Sequence, residues 1–293
     1  MRIIESIEEM KKYSQQLKRE GKIIASVDTD AELHDGHMSL VKIAKENGDV
    51  VILNAGHSVD YKVKSTEEYE KSVIEYRQIP DGLSRDLELC KKHGVDVFFY
   101  PSMSKLYIDE LSIPVEMCEK VYDFMKYRKT FDTNNFRNML HVLWTYFPVF
   151  KIVTPDITVV GQKDAYQAYG LQYLIKQLGL PIKVMMAPII RDSDGLAYNS
   201  RNAYLTPSER QKALSIYQVL QEISTWSEIE PINYLKSYVT HHVKSEYCNV
   251  DVCCAETLKD LIVFDKNAII IVNALFGEHG EYDLGDNIII KPK

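Results

Sequence analysis

What this sequence lacks already excludes several classes of protein. Its 293 residues include five cysteines but no C-x-x-C spacing, so reduced thiols in a cytoplasmic protein are the simplest account. No apolar run is long enough to span a bilayer, and the N-terminus has no apolar signal-peptide core. The net charge of -7 implies no basic surface. We therefore expect a cytoplasmic protein that binds neither membranes nor nucleic acid.

What is present is sufficient for a folded α/β protein. Hydrophobic residues make up 45% of the chain and charged residues 26%, which is ordinary for a globular protein with a core. Apolar runs typical of strands alternate with segments of helical periodicity, which predicts a mainly parallel sheet with right-handed crossovers. The predicted strands are 22–27, 49–54, 95–101, 154–161 and 181–188, and the predicted helices between them are 7–20, 37–47, 82–92 and 164–178.

The pattern changes after residue 205. Two helical segments are followed there by short strands, which predicts a small α+β domain behind the parallel sheet. The predicted helices are 207–225 and 231–246, and the predicted strands are 248–254, 268–274 and 287–291. We accordingly predict one domain over 1–188 and a second over 189–293.

A histidine pair stands at the most informative point of the chain. His34 and His37, with Gly36 between them, follow the first predicted strand of the sheet and open a helix. A helix N-terminus presents free N–H groups and a positive dipole end, and a glycine lets a phosphate approach the backbone. This arrangement indicates a site for the triphosphate of ATP. Surface histidines or a metal pair are the alternatives, although no cysteine lies close enough in sequence to complete a zinc site.

A second polar segment follows a later strand. Gly161 permits close approach of a ligand, Lys163 offers a mobile charge suited to phosphate, and Asp164 can cap a helix or hold ribose hydroxyls. Taken alone, the segment is more simply explained as an ordinary N-cap beside a solvated lysine. Its place at the end of a predicted parallel strand, where ligands bind in such sheets, favours a functional role.

A third polar segment lies near the predicted domain boundary. Asn199, Ser200 and Arg201 form a dense group of hydrogen-bond donors. Such a loop can close on phosphates and stabilise the charge of a transition state. An ordinary interdomain turn is the alternative.

Taken together, these segments resemble the pantothenate synthetase (pantoate–β-alanine ligase) family over nearly the whole chain. The matching segments are Leu33-His34-Asp35-Gly36-His37-Met38, Asn135-Phe136-Arg137, Pro155-Asp156, Gly161-Gln162-Lys163-Asp164 and Asp194 through Leu205. The resemblance implies a Rossmann-like ATP-binding domain of the HxGH nucleotidyltransferase superfamily, with the C-terminal domain as a lid. It also implies a homodimer.

The resemblance further implies a two-step reaction with ATP and Mg²⁺. A carboxylate attacks the α-phosphate and releases pyrophosphate, and an amine then attacks the acyl-adenylate and releases AMP. By position, the residues that handle phosphate are His34, His37, Lys163, Ser200 and Arg201. Gly36, Gly161, Asp164 and Asn199 would contact the nucleotide. Asp86 matches a family acid associated with the magnesium–triphosphate region.

The departures from the family cluster in the pocket for the acid. Asp28 and Asp30 stand where the family has Pro and Met, His57 replaces an Asn, and Asp60 replaces a Gln that holds a pantoate hydroxyl. A second pantoate-binding Gln persists as Gln167. A carboxylate beside an anionic substrate weakens binding unless it meets a donor or a cation.

We therefore expect an ATP-dependent acid–amine ligase whose acid is a polar hydroxy or amino acid rather than pantoate. A genuine pantothenate synthetase is the first alternative. A nucleotidyltransferase without the ligase step and a non-catalytic paralogue are the others. The apolar segment 139–150 is a candidate for the dimer interface or for the core, and its Pro148 should break or kink a helix.

Overall fold

The computed structural model describes residues 1–29, 33–55, 82–101, 119, 145–226 and 230–291. The described residues fall into two compact units. The first holds those up to Val160 together with Gly170–Ala187, and the second holds Gly161–Tyr169 and the residues from Pro188 onward. The segment Gly161–Tyr169 therefore belongs to the second unit, although the residues on either side of it in the sequence belong to the first.

The first unit is built on a six-stranded parallel sheet. Its strands are β1 (Arg2–Ile4), β2 (Ile24–Thr29), β3 (Val50–Ala55), β4 (Val97–Phe99), β5 (Ile157–Gly161) and β6 (Lys183–Ala187). Their order across the sheet is β1-β4-β3-β2-β5-β6, which makes β2 a central strand with β3 and β5 beside it. The carboxyl ends of β2, β3 and β5 precede the segments in which most of the predicted site lies.

Helices flank this sheet. They are α1 (Ile7–Arg19), α2 (Asp35–Asn47), α3 (Gly82–Lys92), α4 (residues 145–153) and α5 (Ala165–Gln177). Ser6 caps α1 by accepting the N–H of Glu9, and the buried Met10 and Leu17 lie on the apolar face of the helix. One core cluster joins these apolar residues to Ile24 and Phe99, and a second joins α2 to the opposite set of strand residues.

The second unit packs two helices on a three-stranded antiparallel sheet. The helices are α6 (Pro207–Ser224) and α7 (Ile232–His242), and the strands are β7 (Cys248–Cys254), β8 (Ala268–Phe276) and β9 (Tyr282–Ile290). Thr206 and Glu209 form a reciprocal capping box that begins α6. The predicted fold class, a parallel α/β sheet with a smaller α+β part, is confirmed. No described helix is both long and apolar enough to cross a membrane.

Several predicted bounds were wrong by a few residues. The strand expected over 22–27 runs from Ile24 to Thr29, and the last strand begins at Tyr282 rather than at 287. The last helix ends at His242 rather than at 246. Strand β1 was not predicted, because it is only three residues long and two of them are exposed.

The apolar segment that ends at residue 150 is described only from residue 145. Its described part is helical through Pro148, so the proline does not break the helix. Phe147, Val149 and Phe150 are buried, and Val149 belongs to the core cluster under α1. This part of the segment therefore serves the core of the first unit.

Candidate active site

The described residues include most of the predicted site. Asp30, His57, Asp60 and the segment 135–137 lie outside them. The described candidates fall into two sets, one in each unit. Those of the first unit are Asp28, His34, Gly36, His37 and Asp86, and those of the second are Gly161, Lys163, Asp164, Gln167, Asn199, Ser200 and Arg201.

The histidine pair begins helix α2. His34 is the N-cap in an extended conformation, and its Nδ1 accepts the N–H of Gly36 at 3.1 Å. Because Nδ1 is the acceptor, the proton of a neutral His34 ring lies on Nε2, where it can be donated. The His34 and His37 rings stack with centroids 3.9 Å apart. The Gly36 N–H is thus taken by the His34 ring and is not available to a ligand in this arrangement.

Asp86 supports this corner from helix α3. Its side chain is buried, at 1% exposure, and its Oδ1 accepts the N–H of Leu33 at 3.0 Å, directly before the histidine pair. A nucleotide-bound Mg²⁺ ion needs a carboxylate open to phosphate oxygens and water, which this setting does not provide. Among the described residues, no three His, Cys, Asp or Glu side chains are grouped to hold a metal. The metal role of Asp86 stays a prediction, and no step below depends on it.

The lysine segment is a turn that a side chain from β9 holds in place. Residues Gln162–Asp164 form a single 3-10 turn after Gly161. The Asn287 amide group donates to the backbone oxygens of Gln162 and Lys163 at 2.9 and 3.0 Å, and its oxygen accepts from the Gln162 side chain at 3.0 Å. In the part of the chain that the structure describes, nothing lies within 4 Å of a Cβ built at Gly161, so the space beside it is open there.

Lys163 and Arg201 belong to one electrostatic neighbourhood. The Lys163 ammonium lies 3.1 Å from Asp164, and Arg201 donates to the backbone oxygen of Asp283 at 3.4 Å. Desolvation raises the pKa of Asp283, and the charges of Arg201 and Lys163 oppose that rise. Asp283 was missed in the sequence, where it is one acid among many. Its position on β9 is what distinguishes it, and the predicted strand began at residue 287, after Asp283.

The loop before Arg201 is held in shape by its own side chains. Arg210 bonds to Asp192 and Asp194, with its shortest contact at 2.6 Å, and lowers the pKa of Asp194. Asn199 caps the 3-10 turn Ser200–Tyr204 by accepting the N–H of Arg201 at 3.1 Å. The acids of this loop therefore maintain its shape, and Asn199 shapes the turn that carries Arg201.

Asp28 lies at the carboxyl end of β2 and is partly buried. Its Oδ2 accepts a hydrogen bond from the Ser26 hydroxyl at 3.1 Å. Burial raises the pKa of Asp28 to about 7, although the polar side chains of Ser26, Asn54 and Thr158 lower it in part.

Gln167, in the first turn of α5, is half-buried.

The sequence matches the family model described as pantoate-beta-alanine ligase over residues 2–289. The chain belongs to the pantoate–β-alanine ligase family. A pantothenate synthetase of Thermotoga neapolitana is 33% identical to it over 95% of this chain and 96% of the relative. One of Carboxydothermus hydrogenoformans is 34% identical over 99% of both chains. The predicted family is therefore confirmed.

Solved structures agree with this membership at the level of the fold. A pantothenate synthetase of Thermus thermophilus covers 100% of both chains with a TM-score of 0.76 and 24% identity. The ligase of Francisella tularensis, solved with a beta-gamma ATP ligand and beta-alanine, covers 99% of this chain and 97% of its own with a TM-score of 0.66 and 22% identity. As a member of the pantoate–β-alanine ligase family, the chain is an ATP-dependent, AMP-forming ligase that makes an amide bond.

Proposed function

We propose that this ligase activates a polar acid other than pantoate. The observation that carries the proposal is Asp28, whose carboxylate stands among polar side chains at the carboxyl end of a central strand, where the family has a proline. A carboxylate in this place suits a substrate that brings hydrogen-bond donors or a cation. It is unsuited to an acid whose middle carbon carries two methyl groups.

We assign the chemistry of ATP to the residues that match the family's phosphate site. The acid carboxylate attacks the α-phosphate, and pyrophosphate leaves. To His34 and His37 we assign the donation of N–H hydrogen bonds to the phosphate oxygens, and to the cations Lys163 and Arg201 the neutralisation of the charge that develops there, with Ser200 as a further donor. Asp164 is assigned to the ribose, and Gly161 and Asn199 to the nucleotide backbone contacts. Little covalent chemistry is required of the protein, because positioning and charge supply the rate.

The second step transfers the acyl group. An amine attacks the carbonyl carbon of the acyl-adenylate, a C–N bond forms, the bond from that carbon to the phosphate oxygen breaks, and AMP leaves with one proton released from the amine. By the family resemblance, we assign Asp30, His57, Asp60 and Gln167, with Asp28, to binding of the acid. We also propose a homodimer and a cytoplasmic location, on the strength of the family resemblance.

A genuine pantothenate synthetase is the second candidate. The curated relatives that carry this name, at 33% and 34% identity over almost the whole chain, favour it. In that case the polar side chains near Asp28 would have replaced the apolar wall without changing the acid.

Pyrophosphate release from ATP separates the two candidates. We expect pantoate with β-alanine to give release close to the acid-free background, and at least one hydroxy or amino acid of similar length to give release well above it. A site built for polar groups rejects an apolar analogue by up to about 10⁴-fold. Pantothenate formation at an ordinary enzymatic rate would show that the second candidate is correct.

A control variant shows that the release comes from this site. Lys163→Ala should slow release about 10²- to 10³-fold, as the loss of one transition-state charge contact does. Lys259→Ala, an exposed lysine of the same unit, should leave it unchanged. Release without an amide product would instead indicate a nucleotidyltransferase that stops after the first step.

A further inference from the structure

A group of polar side chains spans three neighbouring strands of the parallel sheet. Ser26 and Asp28 are two residues apart on β2, so they point to the same face. Asn54 on β3 is in register with Asp28, and Thr158 on β5 is in register with Ser26. Residues in register on adjacent strands share a face. We call these four residues the β2 polar cluster.

The cluster interrupts an otherwise apolar face. Ile24 and Ile52, which precede Ser26 and Asn54 by two residues on the same strands, belong to the core cluster under α1. The polar residues follow them toward the carboxyl ends of β2 and β3. In open parallel sheets this is the edge at which ligands bind. A change from apolar to polar side chains near that edge is typical of a ligand site.

The cluster leaves acceptor oxygens unused, although Asn54 and Thr158 also place donors near the Asp28 carboxylate. Ser26, Asn54 and Thr158 are 0%, 5% and 0% exposed. The Ser26 hydroxyl uses its donor on Asp28 Oδ2. Among the described residues, no group makes a hydrogen bond of normal geometry to Asp28 Oδ1, to the Asn54 amide oxygen or to the Thr158 hydroxyl oxygen. Buried polar atoms are nearly always hydrogen-bonded, so three such oxygens together call for a ligand that brings donors.

We propose that the β2 polar cluster binds a primary ammonium group of the acid substrate, which makes that substrate an amino acid. The proposal rests on the function proposed above and names the class of acid. A primary ammonium has three N–H donors, which matches the three unused oxygens of Asp28, Asn54 and Thr158. A hydroxyl brings one donor and no charge.

The electrostatic setting of Asp28 agrees with this assignment. Burial opposes the ionised form of the carboxylate, and a cation within hydrogen-bond distance would favour it. Ammonium binding and ionisation of Asp28 therefore support one another. A hydroxylated acid without an ammonium group would gain nothing comparable from a charged Asp28.

Calorimetry with three acids of the same chain length tests the proposal. The full chain, saturated with a non-hydrolysable ATP analogue, is titrated with 4-amino-2-hydroxybutanoate, 2,4-dihydroxybutanoate and pantoate. We expect the amino acid to bind at least about tenfold more tightly than the dihydroxy acid, because charge-assisted hydrogen bonds are roughly twice as strong as neutral ones. Pantoate should bind the least tightly.

Variants link the preference to the cluster. Asp28→Asn should remove the preference for the amino acid, and Thr158→Val should weaken it about threefold to fivefold through loss of one acceptor. Asp49→Asn is the matched control, because Asp49 is exposed and accepts the N–H of Ile23 at the opposite edge of the sheet. If Asp28→Asn fails to fold, Thr158→Val tests the link between the cluster and the preference on its own.

Two results would overturn the proposal. One is equal binding of the amino and dihydroxy acids, which would mean that a water molecule or a proton on Asp28 satisfies the cluster. The other is a preference that survives in both cluster variants. Pyrophosphate release is measured on the same protein preparations, with ATP in place of the analogue. If no acid releases pyrophosphate, the proposed function fails, and the calorimetric preference still decides what the cluster binds.

Discussion

The carboxyl group of Asp28 is held where its ionisation is unfavourable. Its pKa of about 7 in the folded chain exceeds the value of about 4 expected in the unfolded chain. Between these two values the folded state binds the extra proton, so stability falls as the pH rises from about 4 to about 7 and stays low above that. Asp28 therefore lowers the stability of the empty protein at physiological pH, which is consistent with selection for binding.

Replacing Asp28 by Asn should stabilise the protein in a pH-dependent way. We expect the free energy of unfolding to rise by about 2 kcal/mol at pH 8 and by about 1 kcal/mol at pH 5.5. Each figure is about half of what the full pKa shift of Asp28 would give if the site did not relax. Urea unfolding of the parent and the variant at the two pH values measures this difference in the free energy of unfolding. The exposed Asp49→Asn should show no such pH-dependent gain. An Asp28→Asn protein that is less stable than the parent at pH 8 would contradict the assignment.

At the scale of the element, the loop before Arg201 depends on one turn. Gly195 has φ +100°, and a Cβ built there would lie 2.1 Å from the Tyr217 ring on α6. Arg191 packs over this ring, 4.6 Å from its centroid, and pairs with Asp286 at 2.6 Å. The ring therefore cannot move away without disturbing a bidentate ion pair.

We expect Gly195→Ala to destabilise the protein by about 3 kcal/mol, from the strained backbone and the clash together. Gly21→Ala is the matched control. Gly21 also has a positive φ, +69°, but a Cβ there meets nothing within 4 Å, so only the conformational cost of about 1 kcal/mol applies. Urea unfolding of both variants measures the difference. Equal losses would show that Tyr217 yields freely and does not constrain the turn.

The elements differ in how readily the sequence predicts them. Helix α3 matches its predicted bounds of 82–92, because its helical periodicity is clear. Strand β9 was predicted five residues too short at its start, because Asp286 and Asn287 look like loop residues in the sequence. In the fold they are buried, with Asp286 paired to Arg191 and Asn287 bonded to the lysine turn. Polar residues with such distant partners conceal a strand from pattern analysis.

For the whole molecule, sequence patterns predict the architecture better than the site. The order of strands and helices follows from periodicity, and the motifs with His34 and Lys163 are recognisable because each is local. The β2 polar cluster was missed except for Asp28. Asn54 and Thr158 are single polar residues in separate strands, and only the register of the sheet brings them beside Asp28.

The assembly of the whole molecule stays a prediction. The family resemblance implies a homodimer, although the described end of the apolar segment 139–150 is used in the core. We expect light scattering at micromolar concentration to give about twice the chain mass of 33.8 kDa. A mass equal to a single chain under these conditions would reject the dimer.

The bonds from Asn287 to the lysine turn have a consequence for protein synthesis. The turn at Gln162–Asp164 is translated more than a hundred residues before the side chain that fixes it. A nascent chain can form the parallel sheet early, but its lysine turn lacks this support until residue 287 has emerged from the ribosome. We therefore expect the lysine turn to reach its final form later than the parallel sheet, once the C-terminal sheet has folded.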